Sequence, residues 1–183
     1  MYLTQYLIQN INPAILLLRS NLKGSTFPEI DFSQFILPPV DLKIVRRNGV
    51  FRVFDPLRKK YFCLTDEEFV RQVFVTWLVK DLGYPPELMA NEIGIRLNDT
   101  FKRCDTVVFS SEGSPLMIIE YKAPKINLDQ EVFNQIVRYN MALKADYLVV
   151  SNGYKNFCCK VDYANHSITF LDKIPSYQEI KLK

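Results

Sequence analysis

The sequence predicts an α/β domain in which a mixed β-sheet carries helices on both faces, a three-layer α/β/α arrangement. Three observations carry that prediction. Apolar runs of strand length recur along the chain, and two longer segments repeat their apolar residues at helical spacing. The two kinds of element also interleave, as helix, three-stranded meander, helix, strand. The 183 residues are 48% apolar and include 13 Phe and 10 Tyr, enough for one domain to bury a substantial core.

Residues 1–40 hold Pro13, Pro28, Pro38 and Pro39 and show no sustained period. They read as an N-terminal arm, irregular apart from a short helix over 13–22. Residues 41–175 form the regular domain, and 176–183 read as a charged C-terminal tail. Inside the domain, 42–45 and 50–54 flank Asn48-Gly49, the strongest short hairpin signal. Thr65-Asp66-Glu67-Glu68 has the form of a capping box, and Phe69, Val70, Val73, Phe74, Trp77 and Leu78 extend it as a helix until Gly83. Pro85-Pro86 turns the chain into three strands near 92–97, 103–109 and 116–122. A second helix covers 128–144. A buried strand over 147–150 and a hairpin pair, 156–161 and 167–171, complete the order.

Composition removes several function classes. A single histidine, His166, rules out zinc chemistry built on several His ligands, and it sits in a polar Asn-His-Ser turn. Cys63, Cys104, Cys158 and Cys159 have neither zinc-site spacing nor the density of a disulfide scaffold, which suits a reducing cytoplasm. The most apolar run, 14–18, is too short to span a bilayer, and no signal-peptide pattern precedes it. The net charge of +3 permits a nucleic-acid partner without requiring one.

One constellation carries chemistry. Ser111-Glu112-Gly113-Ser114 separates two strand-like runs, and a turn centred on Glu112-Gly113 pairs Asp105 with Glu120 across the hairpin. Two adjacent carboxylates repel, so a protein that keeps both needs a compensating cation, for which hard Mg²⁺ or Mn²⁺ is suited. Strand alternation places Lys122 on the face of Glu120, beside the paired acids. A metal, a water and a neighbouring cation are the minimum equipment for phosphodiester hydrolysis. Glu179-Ile180-Lys181 and Asp41-Leu42-Lys43 repeat the acid-x-Lys tripeptide, but neither follows an acidic strand across a tight turn.

These residues resemble the PD-(D/E)xK nucleases, whose restriction-endonuclease-like core is the fold expected here. Within them, 41–174 is similar to the N-terminal domain of type I restriction enzyme R proteins. The similarity runs through Phe54-Asp55-Pro56-Leu57-Arg58-Lys59-Lys60-Tyr61, Leu64-Thr65-Asp66-Glu67-Glu68-Phe69-Val70-Arg71-Gln72 and Lys102-Arg103-Cys104-Asp105. It continues through Ile119-Glu120-Tyr121-Lys122-Ala123-Pro124, Gln135-Ile136-Val137-Arg138-Tyr139-Asn140 and the strand 147–153. The resemblance implies Asp105 and Glu120 as metal ligands and Lys122 as the catalytic lysine. Gln135 and Tyr139 match the QxxxY motif of the RecB-like branch, which is thought to contact nucleic acid. Their spacing independently puts them on one helix face, where Tyr139 could equally complete an apolar stripe with Val132, Ile136 and Leu143. The branch also carries an acid in its first core helix: Glu67 is the first choice, Glu68 the second because it is already the capping partner of Thr65, and Glu92 the third.

Lys43, Arg46, Arg47, Arg52, Arg58, Lys59 and Lys60 crowd one stretch with interleaved Phe51, Phe54 and Tyr61. Such a face suits a phosphate backbone, and Arg58, Lys59 and Lys60 are its expected contacts, although a solvated hairpin has the same composition. No GxxxxGK[ST] phosphate loop occurs, so no ATPase motor is expected in this chain. The function expected is Mg²⁺-dependent hydrolysis of DNA, with methyltransferase and specificity subunits of a restriction system as partners, no membrane, and a homodimer compatible with the sequence. The alternatives are a catalytically silent nuclease fold that binds DNA or a subunit, and an RNA-directed nuclease.

Overall fold

The computed structural model describes residues 30–97 and 100–181. The helix expected over 13–22 lies outside them. Two sheets form. Strands β1 (Ile44–Arg47), β2 (Val50–Asp55) and β3 (Lys60–Cys63) make a small antiparallel sheet. Strands β4 (Met89–Leu97), β5 (Thr100–Phe109), β6 (Pro115–Tyr121), β7 (Tyr147–Ser151), β8 (Asn156–Asp162) and β9 (Ser167–Leu171) make the central sheet in that spatial order. Only β6 and β7 pair in parallel, as a crossover through a helix requires. The helices are α1 (Asp66–Lys80), α2 (Gln130–Leu143) and a short α3 (Tyr177–Ile180).

Local chemistry explains the element ends. Asn48 and Gly49 both adopt positive φ, 50° and 79°, and close the β1–β2 hairpin as their sequence predicts. Thr65 caps α1 by accepting from the Glu68 backbone N–H, and Asp129 caps α2 by accepting from those of Glu131 and Val132. Helix α1 ends at Lys80, slightly before Gly83, which takes the left-handed conformation that leads the chain away.

The central sheet separates two cores. Met117, Ile119 and Tyr121 of β6, with Tyr147 and Val149 of β7, face α1 and the small sheet. Ile118, Leu148 and Val150 face Val132 and Ile136 of α2. That alternation is the signature of strands buried on both faces, and it produces the expected mixed sheet flanked by helices. The two ends of the described chain belong to the first core as well. Phe35 and Leu37 from the expected arm are buried in it. In the segment read as a charged tail, Ser176 and Glu179 form a capping box, and Ile180 is buried. Charge counting along 176–183 averages over one apolar side chain that points inward.

The β5–β6 turn differs in detail from the two-residue form. Ser110 and Ser114 close it through an N–H to C=O bond of 2.8 Å, with Gly113 at φ 83°. The three-residue loop shifts the register by one, and Leu116, opposite no single partner on β5, shifts it back, so Thr106 faces Ile119. One step further along the same register brings Asp105 opposite Glu120. The expected pairing is reached by a loop and a bulge that compensate each other.

Candidate active site

Asp105 lies in β5, Glu120 near the end of β6, and Lys122 just beyond it. The Lys122 backbone N–H donates to the Ser151 carbonyl at 2.9 Å, which prolongs the strand by one residue and keeps its side chain on the Glu120 side. The Lys122 ammonium is 2.7 Å from Glu120 Oε1. From α2, Gln135 Nε2 donates to the same oxygen at 2.7 Å and to the Tyr139 hydroxyl at 3.0 Å, and Lys122 Nζ donates to Gln135 Oε1 at 3.3 Å. Gln135 and Tyr139 are therefore part of the cluster.

Asp105 is held from the other side. Its Oδ1 accepts from Arg71 of α1 at 2.8 Å, and its Oδ2 accepts from the Tyr121 backbone N–H at 2.8 Å. The β4–β5 register, with Asn91 facing Thr106 and Ile93 facing Cys104, sets Glu92 opposite Asp105. Three acids thus lie in a row across β4, β5 and β6. Glu92 takes positive φ, 60°, and its carboxylate reaches Arg71 at 2.6 Å and Arg103 at 2.8 Å.

Glu67 is 3.7 Å from Arg71, with its side chain 44% exposed at the rim. Glu68 is not brought to Glu120. It is buried and engaged by Arg58, Arg71 and Gln72, so its side chain serves a structural ion network instead of completing the capping box expected with Thr65, whose N–H donates to the Cys63 carbonyl. Arg58 likewise has its guanidinium committed to Asp55 and Glu68 and lies over the Phe62 ring, whereas Lys59 and Lys60 are exposed at the β2–β3 turn. His166 sits in an exposed turn.

Electrostatics follow from this crowding. Burial and then the neighbouring charge of Asp105 push the Glu120 carboxyl up to about 7. Burial also raises Asp105, against the opposing pull of Arg71 and the Tyr121 N–H. Burial and Asp105 raise Glu67. Burial alone would lower Lys122, but its hydrogen bond to Glu120 outweighs this and holds the ammonium above its ordinary range. The site is short of positive charge.

A family model described as type I restriction enzyme R protein N terminus matches residues 66–175. The chain belongs to that family. Among solved structures, a fragment described as an HsdR subunit of a type I restriction enzyme from Vibrio vulnificus is similar at 16% identity with a TM-score of 0.43, over 63% of this chain. This R-protein N-terminal chain spans 24% of the length of that relative. No curated protein matches it.

Sequence reasoning missed Arg71 as a site residue; its side chain is 3% exposed. A signal existed. Residues 68–75 of α1 are all buried, and a helix covered on every side cannot place Arg71 in solvent. Asp55, Asn91 and Thr106 were also missed. The Asn91 amide donates to Asp55, and the Thr106 hydroxyl donates to Asn91, which ties the small sheet to the strand that carries Asp105.

Proposed function

We propose that this R-protein N-terminal domain is a metal-dependent DNA endonuclease of a restriction system, with Asp105, Glu120 and Lys122 at its centre. The observation that carries the reading is the state of Glu120: Oε1 receives Lys122 and Gln135, while Oε2 is buried with no hydrogen-bond partner. An unpartnered buried carboxylate oxygen is costly, and a hard divalent cation suits it. Asp105, the next acid across the sheet, would be the second ligand. Among the described residues no three His, Cys, Asp or Glu side chains group as a ready ligand set. Mg²⁺ tolerates this, since it commonly keeps several waters and takes one or two carboxylates together with substrate phosphate. We therefore assign Mg²⁺ as cofactor, with Mn²⁺ as substitute. When bound, such an ion would acidify a water and offset charge developing on a phosphoryl oxygen.

The chain's own groups would divide the remaining work. Lys122 would donate to the attacking water or to a non-bridging phosphate oxygen. Gln135 fixes the Glu120 carboxylate from α2. The Tyr139 hydroxyl accepts from Gln135, which leaves its own proton for a phosphate oxygen. Glu67 would complete the acidic set at the rim. Lys59 and Lys60, with Arg46 and Arg47 of β1, would meet the DNA backbone; Arg58 would stabilise that turn from beneath. The partners that fit are DNA and the methyltransferase and specificity subunits of a restriction system, in the cytoplasm, with a homodimer as one form. Among the described residues no helix is long and apolar enough to cross a membrane.

One observation favours a second reading. Both Asp105 oxygens already have protein partners, Arg71 and the Tyr121 N–H. A nuclease fold retained for DNA or subunit binding, without turnover, would look the same there. Plasmid cleavage decides between them. The purified protein should nick or cut supercoiled DNA with Mg²⁺ but not with EDTA, and leave RNA intact. Lys122→Ala should abolish cutting while keeping its fold, and cutting at the wild-type rate by Lys122→Ala would reject the assignment.

A further inference from the structure

Arg71 is nearly inaccessible, yet four carboxylates surround its guanidinium. Nη1 lies 2.9 Å from Glu68 and 2.6 Å from Glu92, and Nη2 lies 2.8 Å from Asp105 and 3.7 Å from Glu67. Its guanidinium carbon is 5.7 Å from the Tyr121 ring centroid, and Tyr121 is also the residue whose backbone N–H holds Asp105. A guanidinium is not deprotonated in proteins, so the charge is permanent.

We infer that Arg71 is a built-in counter-cation and the positioning residue of Asp105: it offsets part of the charge of the acidic row before any metal arrives and fixes the carboxylate that the metal must share. The inference rests on the nuclease reading of the site and deepens it. The two acids are neutralised differently. Glu120 has Lys122, whose side chain is 19% exposed and whose ammonium also meets the neutral Gln135 amide, whereas Asp105 has a guanidinium pinned on α1 by Glu68 and on β4 by Glu92. A planar fork that donates along several fixed directions joins α1, β4 and β5, and an ammonium cannot reproduce those directions. Arg71 thus holds Asp105 in place as the chain folds, and Mn²⁺ or Mg²⁺ then adds to a row already set in place.

The test compares thermal midpoints in EDTA and in Mn²⁺ for the wild type, Arg71→Met, Arg71→Lys, and Arg71→Met combined with Glu92→Gln. Arg71→Met should melt lower than wild type in EDTA, and Mn²⁺ should raise its midpoint by more than it raises the wild type, because the ion now supplies missing charge. Glu92→Gln should recover part of the loss in EDTA by removing one of the unneutralised acids. Equal Mn²⁺-induced rises in wild type and Arg71→Met, or no recovery from Glu92→Gln, would overturn the inference and leave Arg71 as packing alone. Should Arg71→Met not fold, Arg71→Lys carries the comparison: its charge remains but its fork is lost, so it should melt lower in EDTA, and a wild-type midpoint would overturn the positioning role. Wild-type calorimetry showing no Mn²⁺ binding would count against the nuclease reading, while the metal-free recovery by Glu92→Gln would still judge Arg71.

Discussion

Helices α1 and α2 each hold one of the two central acids, and they do so in opposite ways. Helix α1 is buried from Glu68 through Val75, and its Glu68 and Arg71 belong to a chain of alternating charges, Asp55, Arg58, Glu68, Arg71 and Asp105, while Arg71 Nε and Gln72 Oε1 are buried without partners. Helix α2 is amphipathic and buries only Val132, Ile136 and Asn140; it meets Glu120 through the neutral amide of Gln135 and leaves one carboxylate oxygen unmet. A closed ionic network over-determines geometry, because moving any member strands a buried charge. On the proposed reading, the half-satisfied Glu120 carboxylate beside Lys122 is what an incoming cation and phosphate would use. The α1 side sets position, and the α2 side is left free to react.

The comparison breaks most readily at Asp55. Its side chain is fully buried and accepts from Arg58, Asn91 and the backbone N–H of Leu57. Asp55→Ala should cost about 3–5 kcal/mol in urea denaturation, since it breaks a buried ion pair and leaves the Asn91 amide and the Leu57 and Arg58 N–H groups without their acceptor. Burial would raise the Asp55 carboxyl, but the Arg58 backbone N–H, Asn91 and the Arg58 guanidinium outweigh this and hold it below its ordinary 3.8. A lowered acid stabilises above its unfolded value and loses that contribution as pH falls through the folded one. Wild type should therefore lose stability below about pH 4 faster than Asp55→Ala does.

On the α2 side the loss should fall on rate instead. Lys122→Ala should slow cleavage by ~10²-fold or more while the melting temperature moves little, as expected of a positioned proton donor. A large fall in stability with little loss of rate would reverse the division between the two helices. Gln135→Ala should be milder than Lys122→Ala in the same plasmid assay, because Lys122 still engages Glu120.

The N-caps give a finer test. Thr65→Ala and Asp129→Ala should each cost about 1 kcal/mol by chemical denaturation. Only the α2 change should also slow cleavage, because Gln135 sits within two turns of that cap. The smallest effect expected is in thiol labelling. Cys63 is exposed, whereas burial pushes the Cys159 thiol up to about 11 and also raises Cys104 and Cys158. One thiol should therefore react quickly in the native protein, and four after unfolding.

Much of the fold was legible from local signals. Asn48-Gly49, the Thr65 cap, the apolar runs of β6 and β7 and the amphipathic α2 act within a few residues, so their chemistry is written in order along the chain. The Asp105, Glu120 and Lys122 set was legible for the same reason, although the turn that aligns it was not the one expected. The ion network of Arg58 and Arg71 was not legible, because it also draws on Glu92 and Asp105 from other elements. Arg71 and Asp105, 34 residues apart, and Asp55 and Asn91, 36 residues apart, illustrate the distances involved.

By itself, the sequence determined an α/β domain with two acids and a lysine gathered on neighbouring strands, because strand alternation and hairpin pairing are short-range geometry. The tertiary structure alone decided how those acids are neutralised. Only when α1 is sealed between two sheets does Arg71 meet Glu68, Glu92 and Asp105 together, since in low dielectric a charge must find its partners wherever the chain brings them.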